Sequence, residues 1–340
     1  IIPWNYPLSL MGWKLAPALA AGNTIIMKPS EITSTSLLHW AEIVGDIMPP
    51  GVLNVITGYG AEAGEEIVKH PSIPVITFTG SVKTGKRIAM HAAENLKKVS
   101  LELGGKDPAI ICDDADIDVA AKGTSWGALV NSGQVCTSIE RVYVFSNVAG
   151  RFTESLVEES KKLKLGDPMD ADTDLGPMAS KAQLKNTLEK VALAKEEGAR
   201  LLTGGHRPQE FDRGYFFSPT IFDRVRPDME IVTEESFSPV IPVQKVDSLD
   251  EAIQMSNATK YGLGCTIFTK DIERAMNAAD KIKSGTVCIN SPLMENIAAP
   301  FGGMKQSGIG REHGIDALDE FREAKHIYID YEHNKKSWWF

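Results

Sequence analysis

The chain has 340 residues, 43% of them hydrophobic and 24% charged, enough to bury the core of one very large or two ordinary globular domains. Its 36 basic and 45 acidic residues leave a net charge of −9, which argues against a nucleic-acid partner or an anionic membrane surface, since both call for a basic face. Its four cysteines form no Cys-x-x-Cys pair and its seven histidines no His-x-x-x-His pair, so neither a disulfide framework nor a metal site has support and a reducing cytoplasm is expected. No apolar run reaches the roughly 18 residues of a membrane span, and no membrane span or signal peptide is expected.

The first third alternates short apolar runs with helical patterns, as parallel strands joined by crossover helices do. Strands are predicted over 24–27, 52–56, 75–78 and 99–103, and helices over 35–47, 61–69 and 83–95. The turns Thr57-Gly58-Tyr59-Gly60 and Thr79-Gly80-Ser81 each follow a strand and open a helix, where backbone N–H groups and a positive helix end suit a pyrophosphate. Neither matches Gly-x-Gly-x-x-Gly, and backbone geometry alone is the other reading. After Gly104 a second α/β unit is predicted, with strands over 108–112, 141–145, 201–202, 220–222, 240–243, 265–268 and 285–289 and helices over 117–129, 152–163 and 183–197. An isolated strand over 326–329 precedes a charged and aromatic tail, 331–340, and an exposed strand without a local partner invites pairing with another chain.

The stretch Asn131-Ser-Gly-Gln-Val-Cys-Thr-Ser138 offers one thiol, Cys136, in a small, polar, Gly-containing segment. A nucleophilic cysteine needs access and surroundings that stabilise its thiolate, and the alternative is a loop cysteine without a chemical role. A thiol acting on a carbonyl also needs an oxyanion donor, a base and a leaving group or hydride acceptor. Asn5, in Pro3-Trp4-Asn5-Tyr6-Pro7, is a neutral amide between two prolines and suits the first task; its bland alternative is a turn-forming Asn. Glu102 closes an apolar strand, where burial can raise its pKa toward neutrality, unless it simply stands in water at the strand end. Lys28 and Glu31 follow a strand and could hydrogen-bond a ribose, or be a surface lysine and a helix N-terminal acid.

Together these segments resemble the aldehyde dehydrogenase superfamily. Pro3-Trp4-Asn5-Tyr6-Pro7, Lys28-Pro29-Ser30-Glu31, Phe78-Thr79-Gly80-Ser81, Leu101-Glu102-Leu103-Gly104-Gly105-Lys106, Gly133-Gln134-Val135-Cys136, Glu234-Glu235-Ser236-Phe237-Ser238-Pro239, and Pro300-Phe301-Gly302-Gly303 with Lys305-Gln306-Ser307-Gly308 occur in family order over nearly the whole chain. The resemblance implies an α/β fold with a Rossmann-like cofactor domain over 1–103, a catalytic thiol domain over 104–306, a helix returning to the cofactor domain over 307–322, and an oligomerisation strand and tail over 323–340. It also implies a hydrolytic aldehyde oxidation. Cys136 attacks the aldehyde, Asn5 and the Cys136 backbone N–H hold the oxyanion, NAD takes the hydride, and Glu102 activates the water that hydrolyses the thioester. Lys14 matches a position that helps move protons away. Lys28, Ser30 and Glu31 fall at the adenine ribose, Gly80 and Ser81 at the pyrophosphate, and Glu235 with Phe237 at the nicotinamide ribose. Glu31 suits NAD because a carboxylate repels a 2′-phosphate, while nearby Lys28 leaves room for NADP.

By the same resemblance Tyr6, Trp13, Glu295 and Phe301 line the aldehyde entrance. The aromatics favour a small aldehyde. Glu295 stands where many relatives carry an apolar group and points to a hydroxy- or amino-aldehyde, and 139–144 resembles the lactaldehyde branch. Two departures stand out. Ser238 replaces a family glycine before Pro239, with an expected strain of about 1 kcal/mol if that position needs a positive φ. Family members also carry a segment before the Pro-Trp-Asn motif, of which only Ile1 and Ile2 are present here. A fragment or natural short form is therefore expected, with exposed sheet surface, impaired activity and weakened dimer or tetramer contacts. The alternatives to an active enzyme are a relative serving as a nucleotide-binding or structural module, and a thiol esterase.

Overall fold

A computed structural model describes residues 1–332 and 334–338; His333, Trp339 and Phe340 of the predicted tail lie outside the described residues. In chain order the first unit comprises α1 (Pro7–Ala20), β1 (Ile25–Met27), α2 (Ser34–Val44), β2 (Leu53–Val55), α3 (Glu65–Lys69), β3 (Val75–Thr79), α4 (Val82–Ala93) and β4 (Lys98–Glu102). The second contains β5 (Asp107–Ile111), α5 (Ile117–Leu129), β6 (Ile139–Phe145), α6 (Ala149–Lys162), α7 (Lys181–Glu196), β7 (Arg200–Thr203), β8 (Thr220–Asp223), α8 (Glu230–Thr233), β9 (Val240–Val246), α9 (Leu249–Asn257), β10 (Gly264–Phe268), α10 (Ile272–Lys281) and β11 (Thr286–Ile289). The chain then returns through β12 (Gly308–Ile309) and α11 (Asp316–Asp319).

The second unit is built on a seven-stranded sheet in the order β11-β10-β5-β6-β9-β8-β7, parallel except at the β7–β8 edge. Both faces are covered, which is why β5 and β6 are buried along their whole length and apolar apart from Asp107, Glu140 and Arg141. Ala109 and Ile111 join Phe152 and Leu156 of α6 on one face, while Ile110 and Cys112 join Ala252 of α9 and Ala278 of α10 on the other. The first unit holds two smaller sheets, β1-β2 and β12-β4-β3. Ile1 and Ile2 run between them: Ile2 N–H donates to the Lys28 carbonyl at 2.9 Å and Thr79 N–H to the Ile1 carbonyl at 3.3 Å. Strand β12 pairs antiparallel with β4, Gly308 opposite Glu102, so the returning segment seals the strand end that carries Glu102.

Three expectations change. Helix α1 is not signalled by periodicity, because Pro17 lies inside it and removes a backbone donor; Pro7 at its first turn is the position a helix tolerates. The return segment is a two-residue strand and a four-residue helix rather than one helix. Residues 326–329 form no strand: a strand exists only with a ladder partner, and 323–329 are exposed outside any sheet. Ile26 on β1 and Leu38 and Ile43 on α2 are exposed.

Helix α5 positions the nucleophile. Asp116 caps it by accepting from Val119 N–H at 3.2 Å. Gly127 lets it approach its neighbours closely, since a Cβ there would lie 2.8 Å from Ile139 Cδ1 and 2.9 Å from Pro292 Cβ. Alanine favours a helix interior by about 1 kcal/mol over glycine, but overpacking against a rigid proline costs about 1–3 kcal/mol. Gly127→Ala is therefore expected to lower the urea midpoint at unchanged m-value; a raised midpoint would mean that the contact yields without cost.

Candidate active site

After α5 the backbone turns left-handed at Asn131 (φ 51°), Ser132 (φ 56°) and Gly133 (φ 71°) before reaching Cys136. Such a run is costly for non-glycine residues and persists only where its surroundings hold it. Here Ser132 Oγ donates to the Gly176 carbonyl at 2.8 Å, and Gln134 bonds Asn131 O through Nε2 and Ala179 N–H through Oε1, both at 2.9 Å. Gly133 lies against the backbone of Ser238 and Pro239, where a Cβ could not fit. The loop thus holds the half-buried Cys136 at the wall of a cavity of about 260 Å³.

Asn5, Gly80, Ser81, Glu235 and Phe237 line the same cavity. Asn5 Nδ2 donates to the Gln134 carbonyl at 3.1 Å; a primary amide has two N–H groups, which leaves one for another acceptor. Trp4 meets Phe237 edge to face, with ring centroids 5.4 Å apart. Glu235 accepts from Gly105 N–H at 3.3 Å, and Gly104 leaves its carboxyl room that a Cβ would take. Burial first and the Glu140 charge second push the Glu235 carboxyl up to about 8. The strain expected at Ser238 is not there. Ser238 has no positive φ, the left-handed residue is Phe237 (φ 49°), and Ser238 Oγ is buried without a hydrogen-bond partner among the described residues.

A buried ion pair braces this wall. Lys106 Nζ binds Glu140 Oε2 at 2.7 Å and Ser236 Oγ at 2.9 Å, and Glu140 accepts from the backbone N–H groups of Ser236 (2.6 Å) and Phe237 (2.7 Å). Arg141, also buried, ties the Lys106 carbonyl (2.7 Å) to the Ser256 carbonyl (3.1 Å). These charged residues in the run Ile139-Glu140-Arg141-Val142 have a structural explanation that sequence reasoning missed. The available signal was two adjacent charges inside an otherwise apolar strand.

Glu102 is buried behind the cavity, with neither carboxylate oxygen hydrogen-bonded among the described residues. Burial first and the Glu312 charge second drive its pKa well above the ordinary carboxylate range, opposed by Lys14 and Arg311. Lys14, also buried, pairs with Glu312 and donates to Thr79 Oγ1 at 2.6 Å. Glu312 was not singled out from the sequence, and a lone acid in a Gly-rich tail segment carries no signal by itself. No cation offsets the Cys136 thiol: burial, then Glu102, Asp107, Glu295 and Glu235, push it well above its usual range. This corrects the expectation of surroundings that favour the thiolate.

The remaining candidates fall into two groups. Lys28 is buried, donates to the Pro29 carbonyl at 2.9 Å and lies 3.8 Å from exposed Glu31, while Ser30 is buried beside them. This trio does not line the thiol cavity; Lys28 Cδ instead approaches Gly64, at the turn before α3. Ser81 caps α4, accepting from Thr84 N–H at 3.3 Å. On the other side of the thiol, burial, Cys136 and Glu295 raise the Tyr6 phenol, and burial raises the Glu295 carboxyl. Trp13 packs against Phe301 with centroids 5.0 Å apart, and Phe301 shares a small cavity with Glu295. Among the described residues no group of three or more potential ligands could hold a metal, and no helix is long and apolar enough to cross a membrane.

Comparison with known proteins agrees with this arrangement. Residues 1–327 match the aldehyde dehydrogenase family. Similar sequences include a chloroplastic aminoaldehyde dehydrogenase of Arabidopsis thaliana, 43% identical over 100% of this chain and 68% of its own. Others are retinaldehyde dehydrogenase 3 of Mus musculus, 45% identical over 98% and 65%, and betaine aldehyde dehydrogenase of Brucella anthropi, 46% identical over 96% and 68%. The chain thus spans about two thirds of the length of these relatives. A crystal structure of Staphylococcus aureus betaine aldehyde dehydrogenase with NAD+ superposes with a TM-score of 0.97 at 41% identity, covering 99% of this chain and 70% of that one. With its thiol loop, its paired α/β units and its sequence all agreeing, the chain belongs to the aldehyde dehydrogenase family.

Proposed function

We propose that this chain oxidises an aldehyde to a carboxylic acid through a covalent adduct on Cys136, with NAD as the preferred acceptor. The observation that carries the reading is the convergence of Cys136, Asn5 and Glu235 on one cavity with an unpartnered Glu102 buried behind it. The lining supports a dinucleotide: Gly80 and Gly104 let the Phe78 ring and the Glu235 carboxyl pack close to the backbone of the cavity wall, and Glu235 accepts from Gly105 N–H at 3.3 Å. Gly80 and Ser81 would hold the pyrophosphate, Glu235 and Phe237 the nicotinamide ribose, and Lys28, Ser30 and Glu31 the adenine ribose. Glu31 beside Lys28 accepts from ribose hydroxyls and disfavours a 2′-phosphate. Residues 1–103 with 307–322 would then form the cofactor lobe and 104–306 the thiol lobe.

In this mechanism the Cys136 sulfur bonds to the aldehyde carbon, and the free Asn5 N–H with the Cys136 backbone N–H holds the oxyanion. When bound, the nicotinamide supplies the hydride acceptor that takes the adduct to the thioester. Glu102 then removes a proton from the water that cleaves the thioester, and the Lys14–Glu312 pair beside it offers that proton a way out. Glu295 near the thiol supports a polar or cationic aldehyde over a long aliphatic one, in keeping with the aminoaldehyde and betaine aldehyde dehydrogenases among its relatives. Exposed Ile327, Tyr328 and Ile329, outside any ladder, support strand pairing with a second copy.

Four outcomes are expected. Cys136→Ala abolishes NADH formation at 340 nm with lactaldehyde, an aminoaldehyde and hexanal, and hexanal is the poorest substrate of the wild type; ester cleavage without NADH formation would instead favour the esterase. Glu102→Gln lowers steady-state turnover by about 10²–10⁴-fold, the usual weight of a general base, yet retains a burst of NADH because only hydrolysis is blocked; loss of burst and turnover together would remove Glu102 from the water step. Both Cys136 and Glu102 must shed a proton and burial raises both, so turnover falls as pH is lowered from about 9 to 6. The same burial affects stability. A carboxyl whose folded pKa is raised binds its proton more tightly when folded, so its contribution to stability declines as pH rises from the ordinary carboxylate range toward the folded pKa. Glu102→Gln should therefore unfold at higher urea than wild type at about pH 8, the difference shrinking toward about pH 4.

A further inference from the structure

We propose that Asp107 is the floor of a subsite that takes the primary ammonium group of a short amino-aldehyde, an inference that rests on the aldehyde-oxidising reading above. Asp107 begins β5, is 4% exposed, and its Oδ2 has no hydrogen-bond partner among the described residues. The hydroxyl of Thr137, the residue after the nucleophile, is likewise buried and unpartnered. Both line a cavity of about 20 Å³ whose wall also carries Glu295 and Phe301. The sheet explains why these groups meet. Thr266 of β10 is paired with Ala109 of β5 and Cys288 of β11, and sides alternate along a strand. Asp107, two residues before Ala109, therefore shares its face with Thr266 and Cys288, at the strand ends beneath the thiol loop. Gly105 separates this face from the loop: a Cβ there would lie 2.5 Å from the Cys136 carbonyl oxygen and 2.7 Å from Asp107 Oδ1.

Charge and size select the ligand. The cavity wall has two carboxylates and no lysine or arginine, and a carboxylate buried with an open oxygen is costly unless a cation or hydrogen-bond donor meets it. Burial pushes the Asp107 carboxyl up to about 7, with the Gly264 backbone and Arg141 only partly offsetting it. An arriving ammonium donates to Asp107 Oδ2 and Thr137 Oγ1 together and supplies the missing charge. A space of about 20 Å³ is close to the roughly 10–15 Å³ that one water-sized group needs. It suits –NH₃⁺ better than the bulkier trimethylammonium head. A carboxylate or phosphate is repelled by both acids.

The test compares wild type with Asp107→Asn, an isosteric change, and Asp107→Ser as a second variant should the first misfold. The readout is the ratio of kcat/KM for 4-aminobutanal to that for pentanal, which differ by an ammonium in place of a methyl. Hydrogen bonds to a charged group contribute about 1.5–3 kcal/mol, so the ratio should fall about 10- to 100-fold in either variant. An unchanged ratio, with both substrates falling together or neither changing, overturns the subsite. A second readout needs no turnover. The n-butylammonium ion should slow alkylation of Cys136 by iodoacetamide at far lower concentration than n-butanol, and Asp107→Asn should lose most of that difference. Equal protection by the two would mean that the cavity holds water only. Failure to oxidise any aldehyde would sink the proposed function while leaving this protection assay to decide the subsite.

Discussion

Four carboxyl groups, Glu102, Asp107, Glu235 and Glu295, bear on one thiol in an interior that hydrates them poorly. Burial is the largest influence on each and raises all of them. The Asp107 charge also raises Glu235, though less than burial does. That is a poor arrangement for stability and a useful one for chemistry. A nucleophile with a raised pKa is a strong one once its proton has gone, and a base with a raised pKa holds a proton firmly after taking it from water.

Holding these acids together needs backbone and ion pairs fixed elsewhere. The Lys106–Glu140 pair is buried on both sides, and its carboxylate bonds the two N–H groups that set Phe237 in its left-handed conformation. Removing one partner would leave the other charge stranded, at a cost of about 3–5 kcal/mol. The nucleophile loop relies on the same economy of space: Gly133 lies on Ser238 and Pro239, so the two strained segments, 131–133 and 237, hold each other. Serine at 238 fits because the positive φ falls one residue earlier, and the price is an unsatisfied hydroxyl rather than a strained backbone.

Elements with strong two- or three-layer patterns were legible from the sequence. Helix α5 was read over 117–129 from its run of small, close-packing residues, and β5, β6, β9 and β10 stood out as apolar runs between turns. Helix α1 was not, because Pro17 mimics a break that tertiary packing overrides: Leu10, Met11 and Leu15 bury against Met27 and Leu37. The amphipathic α9 and α10 were also passed over, although Ser248 and Asp271 cap them. In the site, residues within contiguous motifs were readable, and the structure brings Asn5, Cys136, Glu235 and Phe237 to one cavity. Glu312, Glu140 and Asp107 were not, because the roles of the first two depend on partners 298 and 34 residues distant and that of the third on a face set by sheet register. Single-residue chemistry is visible in one dimension; a charge becomes meaningful only when its burial and partner are known.

The Lys14–Glu312 pair shows how that distinction governs the outcome. Lys14, two helical turns into α1, pairs with Glu312 in the interior, and Thr79 Oγ1 is a further acceptor for its ammonium. Glu102 has no such companion, yet it feels both members: Glu312 raises its pKa and Lys14 lowers it. The field at Glu102 is therefore set by both members of the pair. Because β12 lays Gly308 against Glu102 and Glu312 lies four residues further along, the return of the chain to the first unit brings this pair to the base. The segment over 307–322 is thus part of the site's electrostatics as well as a cover for a sheet edge, and its register on β4 is what couples the two.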